Sequence, residues 1–209
     1  VEGISTGNLV GLETRDFAFL SSAAVSRLTS VQVQSLSSNQ LKWLVSANVV
    51  ALNLSGLATA QLAAIDEVNF AGFGSNAGTA ALARLSTEQV NSLSTEQLVA
   101  LTKDNIGGLD IRGISSAKIS ALETRDLGGL TTSQISLLSA ANVVGLTTAQ
   151  LSSLTTGNSS AIGTSALSYL STAAVETLFP EQIQNLSSTQ VGNLTTAQLV
   201  ALSSTNVVN

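Results

Sequence analysis

The chain is built on an eight-residue repeat, which constrains its fold more than any other feature of the sequence. Residues 85–92, 93–100 and 101–108 read LSTEQVNS, LSTEQLVA and LTKDNIGG. Twenty-four such octads occur in runs of six, two, four and twelve, which begin at Ile4, Leu57, Ala77 and Ile114. A repeat this short cannot bury an apolar face alone, so its copies must stack on one another. The sequence therefore predicts a solenoid.

Three octad positions carry the pattern. Position 1 is Leu in 19 octads and Ile in four, position 6 is apolar in 23 of 24, and position 5 is Gln, Asn or Asp in 19. Position 5 is mostly Gln in odd-numbered octads and mostly Asn or Asp in even-numbered ones. Two octads thus pair into a 16-residue sequence unit.

Each octad contains the signals that begin a short helix. Ser or Thr at position 2 and Gln at position 5 form a capping box, and the apolar residues at positions 1 and 6 form a hydrophobic staple. Leu194, Thr195, Gln198 and Leu199 are one such set. Pro180 falls at the first helical position, where proline is favoured. About six helical residues fit before the next Leu, and helices this short need packing to persist.

We therefore expect an all-α solenoid of very short capped helices. The Asn-Val-Val-Gly segment of residues 142–145 has strand character, which leaves a mixed helix and strand solenoid, or a β-solenoid, as the alternative. We expect one repeat solenoid over residues 1–209. It is interrupted by inserts that could bend or cap the stack, at residues 1–3, 52–56, 73–76 and 109–113.

Composition excludes several classes of function. The chain contains no Cys, His or Met, so thiol chemistry, histidine-based catalysis and zinc fingers are excluded. No cluster of Lys and Arg offers a nucleic-acid surface, and no apolar stretch approaches the roughly 20 residues of a membrane span. We expect no catalytic residue, no cofactor and no metal site. Resistance to oxidation favours an extracellular location.

The segments LTTAQLVAL and LFPEQIQN, which begin at Leu194 and Leu178, resemble the first helix of a TAL-effector DNA-binding repeat. That likeness covers one octad at a time and carries over only the chemistry of the helix start. The whole chain resembles the Ser/Thr/Asn-rich repetitive regions of bacterial secreted and cell-surface proteins, such as adhesins and fibre-forming proteins. This resemblance implies a structural or adhesive role outside a bacterial cell.

The charge distribution suggests self-association. All eight basic residues lie at or before Arg125, and residues 127–209 carry only Glu176 and Glu181 as charges. A surface of Ser, Thr and Asn lacks the charge repulsion that separates soluble monomers. We expect a head-to-tail homopolymer in which the end of one chain packs on the start of the next, through Leu202 and Val207 of one and Ile4 and Leu9 of the other. The alternative is a monomeric solenoid that binds a protein or a glycan.

Overall fold

The chain is all-helical in the part that the computed structural model describes, which comprises residues 5–73, 76–154 and 156–202. It contains short α-helices (α) and 3-10 helices (η), and no strand occurs among these residues. In chain order they are α1 Thr6–Val10, η1 Thr14–Phe19, α2 Ser22–Val25, α3 Ser30–Gln34, α4 Ser38–Lys42, α5 Ser46–Ala51, η2 Leu54–Gly56, α6 Thr59–Ala63, η3 Glu67–Phe73, α7 Asn76–Leu82, α8 Thr87–Ser92, α9 Thr95–Val99, η4 Ile106–Gly108, η5 Ile111–Gly113, α10 Ser116–Ile119, α11 Thr124–Leu127, α12 Thr132–Ser136, α13 Ala140–Val143, α14 Thr148–Ser153, α15 Thr156–Ser160, α16 Thr164–Leu167, α17 Thr172–Glu176, α18 Pro180–Gln184, α19 Ser188–Gly192 and α20 Thr196–Ala201.

Each octad up to residue 201 contributes one helix, and the predicted capping box begins many of them. In α14 the Gln150 N–H donates to Thr147 Oγ1 at 3.2 Å, and the Thr147 N–H donates to Gln150 Oε1 at 2.9 Å. The same reciprocal pair begins α3, α4, α8, α9, α12, α13, α19 and α20. The segment with predicted strand character belongs to helix α13, which begins with such a box. The prediction of an all-α solenoid of short capped helices is therefore confirmed.

The chain divides into two compact units, Val1–Gly113 and Ile114–Asn209. In the second unit each helix from α10 to α17 contacts the helix three octads later, so three octads complete one coil. Three stacks of helices result. They are α10, α13, α16 and α19; α11, α14, α17 and α20; and α12, α15 and α18. The expectation of one solenoid over the whole chain stays a prediction.

In the first unit, helices also contact the third helix after them, but the segments that form the three sides of a coil differ in length. Helix α3 contacts η2, and α8 contacts η5, so the inserts at residues 52–56 and 109–113 each occupy one side of a coil. Leu54 and Ile111 are buried in the place of an octad position 6. These inserts are thus shortened sides. Phe73 of the insert at residues 73–76 ends η3 and packs on Phe70, with 5.4 Å between ring centroids. The insert at residues 1–3 lies outside the described residues.

The core consists of the position 1 and position 6 side chains. Position 6 residues from Leu9 to Val175 are at most 2% exposed, including Ser159, the one polar residue of that column. Position 1 residues from Leu28 to Leu178 are at most 8% exposed wherever they are Leu or Ile. Both columns follow the predicted hydrophobic pattern over these ranges, whereas Val191 and Leu199, at position 6 of later octads, are 36% and 46% exposed.

The coil period differs from the period of the sequence. The sequence unit pairs odd and even octads, whereas each helix packs on the helix three octads away. Because three is odd, an odd octad always stacks on an even one where the octads are uninterrupted. The 16-residue unit of the sequence therefore does not correspond to one coil, which contains three octads.

Small residues at position 8 allow the coils to approach closely. A Cβ atom placed on Gly145, at the end of α13, would collide with the Ser116 carbonyl oxygen and with Ile119 on α10 of the preceding coil. Its backbone conformation is one that any residue adopts, so close contact alone requires glycine here. Gly192, at octad position 7 on α19, has no atom within 4 Å of the place that its Cβ atom would occupy.

We predict that Gly145→Ala lowers the free energy of unfolding by about 1–3 kcal/mol, because the coils must separate. The matched change Gly192→Ala should be neutral or stabilise the protein by up to about 1 kcal/mol, because alanine favours the helix. Chemical denaturation measures both. Equal effects of the two substitutions would contradict the close packing of α13 on α10.

Candidate functional site

The side-chain amide at octad position 5 joins successive coils as well as capping its own helix. Gln150 is 2% exposed. Its Oε1 accepts the Thr147 N–H, while its Nε2 donates to the carbonyl oxygens of Ile119 and Leu122 at 2.8 and 2.7 Å. Ile119 ends helix α10, where carbonyl oxygens lack an α-helical partner. One amide thus serves the start of one helix and the end of another.

The same arrangement recurs in both units. Each of these glutamines donates Nε2 to backbone carbonyls 25 to 35 residues earlier in the chain, across one coil. The glutamines are Gln40, Gln61, Gln89, Gln97, Gln150, Gln182, Gln190 and Gln198. The sequence predicted the capping role of position 5, but the donation to the neighbouring coil depends on tertiary packing.

Asparagine at position 5 also donates its side-chain amide to a backbone carbonyl of the previous coil. The Nδ2 of Asn48 donates to the Leu20 carbonyl at 2.8 Å, and that of Asn158 donates to the Leu130 carbonyl at 3.0 Å. Each acceptor is the position 1 residue of the octad one coil earlier. Because the side chain of Asn has one methylene fewer than that of Gln, its amide has a shorter reach into the previous coil. Gln40 and Gln150 thus make three and two bonds to the previous coil, whereas Asn48 makes one.

Asn105 departs from this pattern. It is 0% exposed, and its Oδ1 accepts the Thr102 N–H at 2.7 Å, but its Nδ2 has no hydrogen-bond partner. It lies one coil after α7, the helix that begins at the end of the irregular insert at residues 73–76. A buried donor without an acceptor costs about 1–3 kcal/mol, so this coil has a local weakness.

The predicted contact residues are only partly described. Leu9 and Leu202 are 1% and 8% exposed, which places both within the core of their own units. Ile4 and Val207 lie outside the described residues. Near Leu202, helix α20 exposes Leu199 and Val200, at 46% and 70%. The head-to-tail contact stays a prediction.

The surface of residues 127–202 is nearly uncharged. Glu176 and Glu181 are its only charged residues. Large apolar side chains project from it, and each is at least 36% exposed. They are Leu137, Val144, Tyr169, Phe179, Val191, Leu199 and Val200. A surface with so little charge lacks the electrostatic repulsion that keeps molecules apart.

The first unit carries most of the charge. The Arg112 guanidinium donates to both carboxylate oxygens of Asp110, at 2.9 and 2.6 Å. This bond lowers the pKa of Asp110 below its usual value. The pKa of Glu96 is lowered as well, by hydrogen bonds from its own backbone and from Ser94. Within the described residues, no acidic cluster is arranged to hold a metal ion. None of the described helices has the length and apolar character needed to cross a membrane.

Comparison with known proteins supports the repeat. A family model described as the ALTTAQ repeat matches residues 9–46, 78–103 and 119–156, somewhat less than half of the chain. Residues 146–150 and 194–198 both read LTTAQ. No curated protein and no solved structure matches the chain. The family match and the stacked coils support a structural repeat protein, while the likeness to adhesins and to TAL-effector helices stays a prediction.

We predict that Gln150→Glu at neutral pH lowers the free energy of unfolding by about 2–4 kcal/mol, because a carboxylate cannot donate to the Ile119 and Leu122 carbonyls. Gln184→Glu is the matched control, since Gln184 is exposed. Its effect should stay within about 0.5 kcal/mol. Urea denaturation measures both, and equal stability of the two variants would refute the role of Nε2 between coils.

A second comparison tests the unpartnered amide. Asn142 donates Nδ2 to the Ile114 carbonyl and accepts the Ser139 N–H, whereas Asn105 makes only the second type of bond. We expect Asn105→Ala to cost at least about 1 kcal/mol less than Asn142→Ala, because it also removes an unsatisfied donor. Thermal unfolding of the two variants decides the point. A greater loss for Asn105→Ala would show that its amide has an acceptor in solution.

Proposed function

We propose that this protein is a non-enzymatic structural element that associates with copies of itself outside a bacterial cell, in a fibre, a filament or a surface array. The observation that carries the proposal is the surface of residues 127–202. It combines seven exposed large apolar side chains with two charged residues. Association through such a surface buries apolar area without the cost of desolvating ion pairs.

The internal hydrogen bonding supports this role. The amides at position 5 turn inward and bind the neighbouring coil, as Gln150 and Gln190 do, so they hold the scaffold together. The outward positions carry hydroxyl groups instead. Thr124, Thr148, Thr172 and Thr196 occupy the same octad position in four successive coils, and all four are exposed. A regular row of hydroxyl groups can hydrogen-bond to an identical row on another copy.

Chain ends provide one geometry for this association. A contact of the segment that holds Leu202 and Val207 in one chain with the segment that holds Ile4 and Leu9 in the next would be heterologous, and heterologous contacts that do not close form filaments. The exposed Leu199 and Val200 on α20 add apolar area beside Leu202. The other geometry is side-by-side packing through Val144 and the other exposed apolar side chains of residues 127–202. Both geometries use the uncharged surface.

The extracellular location rests on composition and resemblance. A chain without Cys or Met has no residue that oxidises readily, which suits an oxidising environment. Its Ser, Thr and Asn content resembles that of bacterial surface repeats. Antibody labelling of intact cells of the source organism, with and without permeabilisation, tests this location. Labelling that requires permeabilisation would contradict it.

The second candidate function is a binding module. It is favoured by two exposed aromatic residues in the first unit, Phe19 at 85% and Trp43 at 51%. Both occupy octad position 8, in octads that lie one coil apart. Exposed aromatic side chains on a rigid scaffold are typical of binding surfaces.

We predict that Val144→Asp and Val200→Asp each weaken self-association at least about tenfold, because each buries a charge in the contact. Both residues are more than half exposed, so the monomer should stay folded. Light scattering over a range of protein concentrations measures the effect. Added salt should change association little, because few charges take part.

The matched control is Val31→Asp, at a position in the first unit that is 67% exposed. It should leave association unchanged. A larger effect at Val200 than at Val144 would support end-to-end growth, and the reverse would support side-by-side packing. If Val31→Asp were as disruptive as the other two, or if the parent stayed monomeric at all concentrations, the proposal would be overturned.

A further inference from the structure

A groove in the first unit lies between α7 and the segment where α5 ends and η2 begins. Its volume is about 440 Å³, which lies within the range of about 300–1,000 Å³ that is typical of small-molecule sites. Most of its lining is apolar. The lining residues that determine its chemistry are Ala77, Ala80, Ala81 and Arg84 on α7, and Val50 and Leu52 on the opposite side.

The groove is open because α7 lacks two side chains that other octads place between coils. Ala77 is the one octad position 1 that is neither Leu nor Ile. Ala81 stands at position 5, where 19 of the 24 octads have Gln, Asn or Asp. In other coils the amide at position 5 crosses to the previous coil, as that of Gln150 does to the Leu122 carbonyl. Alanine has no group that crosses this space, so the space stays empty.

The carbonyl oxygen of Leu52 is the acceptor that the missing amide would reach. Leu52 begins the third side before α7, which is the place that Leu122 holds relative to Gln150. Leu52 is 3% exposed, and no described residue donates a hydrogen bond to its carbonyl oxygen. A buried carbonyl without a donor is unfavourable, so an N–H of a ligand in the groove would be stabilised here.

Arg84 supplies the one charge among the described residues that line the groove. It is exposed, and its guanidinium forms no ion pair or hydrogen bond with another described residue. The other polar side chains of the lining, Ser26 and Asn53, are hydrogen-bonded within the protein. A guanidinium binds a carboxylate through two parallel hydrogen bonds. Because no acidic residue lines the groove, the carboxylate of a ligand would be attracted by Arg84 without opposing repulsion from the lining.

We infer that this groove binds a small aliphatic carboxylate that also carries an amide N–H, which is the chemistry of an N-acylated amino acid with an apolar side chain. The carboxylate pairs with Arg84, and the N–H donates to the Leu52 carbonyl in place of the absent glutamine amide. The aliphatic group packs on Val50 and the alanines of α7. The groove belongs to the first unit, so the inference does not rest on self-association through residues 127–202 and can fail or succeed independently of it.

The first test compares three ligands that share one branched aliphatic group. Isothermal titration calorimetry measures their binding to the full chain, and we expect saturable binding of N-acetylvaline. N-acetylvalinamide lacks the carboxylate and 3-methylbutanoate lacks the amide, so each should bind at least about tenfold more weakly. The inference is overturned if N-acetylvaline does not saturate the protein, or if either of the other compounds binds as tightly.

The second test locates the carboxylate. Arg84→Gln removes the charge from the groove and should weaken the binding of N-acetylvaline at least about tenfold. Arg15→Gln makes the same change on η1, away from the groove, and should leave binding unchanged. Both arginines are exposed, so both variants should fold, which circular dichroism verifies. Equal effects of the two substitutions would contradict the pairing with Arg84.

The third test closes the groove. Ala81→Gln introduces the amide that most octads have at position 5, and this amide should take the place of the ligand beside the Leu52 carbonyl. Ala80→Leu fills the groove from an exposed position of α7, so it disturbs the core least. Each substitution should abolish the saturable binding of N-acetylvaline while circular dichroism shows a folded protein. Binding by the folded Ala80→Leu variant as tight as that of the parent would overturn the inference.

Discussion

The solenoid depends on one side-chain amide used at both of its ends. In Gln150 the oxygen accepts a backbone N–H at the start of its own helix, and the nitrogen donates to carbonyls in the previous coil. Helices of four to seven residues leave a large share of their backbone groups without an intrahelical partner. An isolated helix of this length would expose those groups to water and unfold. The amide satisfies some of them from within the stack, so each coil stabilises the one before it.

This dependence explains why polar residues are buried in a chain with so few charges. Gln40, Asn48 and Gln97 are all 1–2% exposed, yet each has partners within hydrogen-bond distance. A buried polar group without a partner is costly, whereas a fully bonded one fixes the register of the packing. The leucine columns supply most of the apolar burial, and the amide columns fix which helix lies over which. Asn105 shows what happens when an irregular side intervenes, since its amide nitrogen has no acceptor.

Local structure could be predicted from the sequence to a large extent, because the interactions that begin a helix lie within one octad. The capping pair of Thr147 and Gln150, the helical start at Pro180 and the buried leucine columns all follow from spacing alone. The three-octad coil could not be predicted in this way. It depends on contacts between octads that are not adjacent in the chain, whereas the sequence shows only the pairing of adjacent odd and even octads.

The shortened sides at residues 52–56 and 109–113 show that a coil tolerates a change in the length of one side. A change in the number of sides, in contrast, alters which helices stack on one another. Duplication of a single octad would add one helix to the chain and shift every later helix into the next stack. Side chains that were aligned on one face would then be distributed over different faces, while the buried columns stayed intact. Gain or loss of three octads would preserve the alignment, so the outer surface of this fold can diversify by duplication without any change to its core.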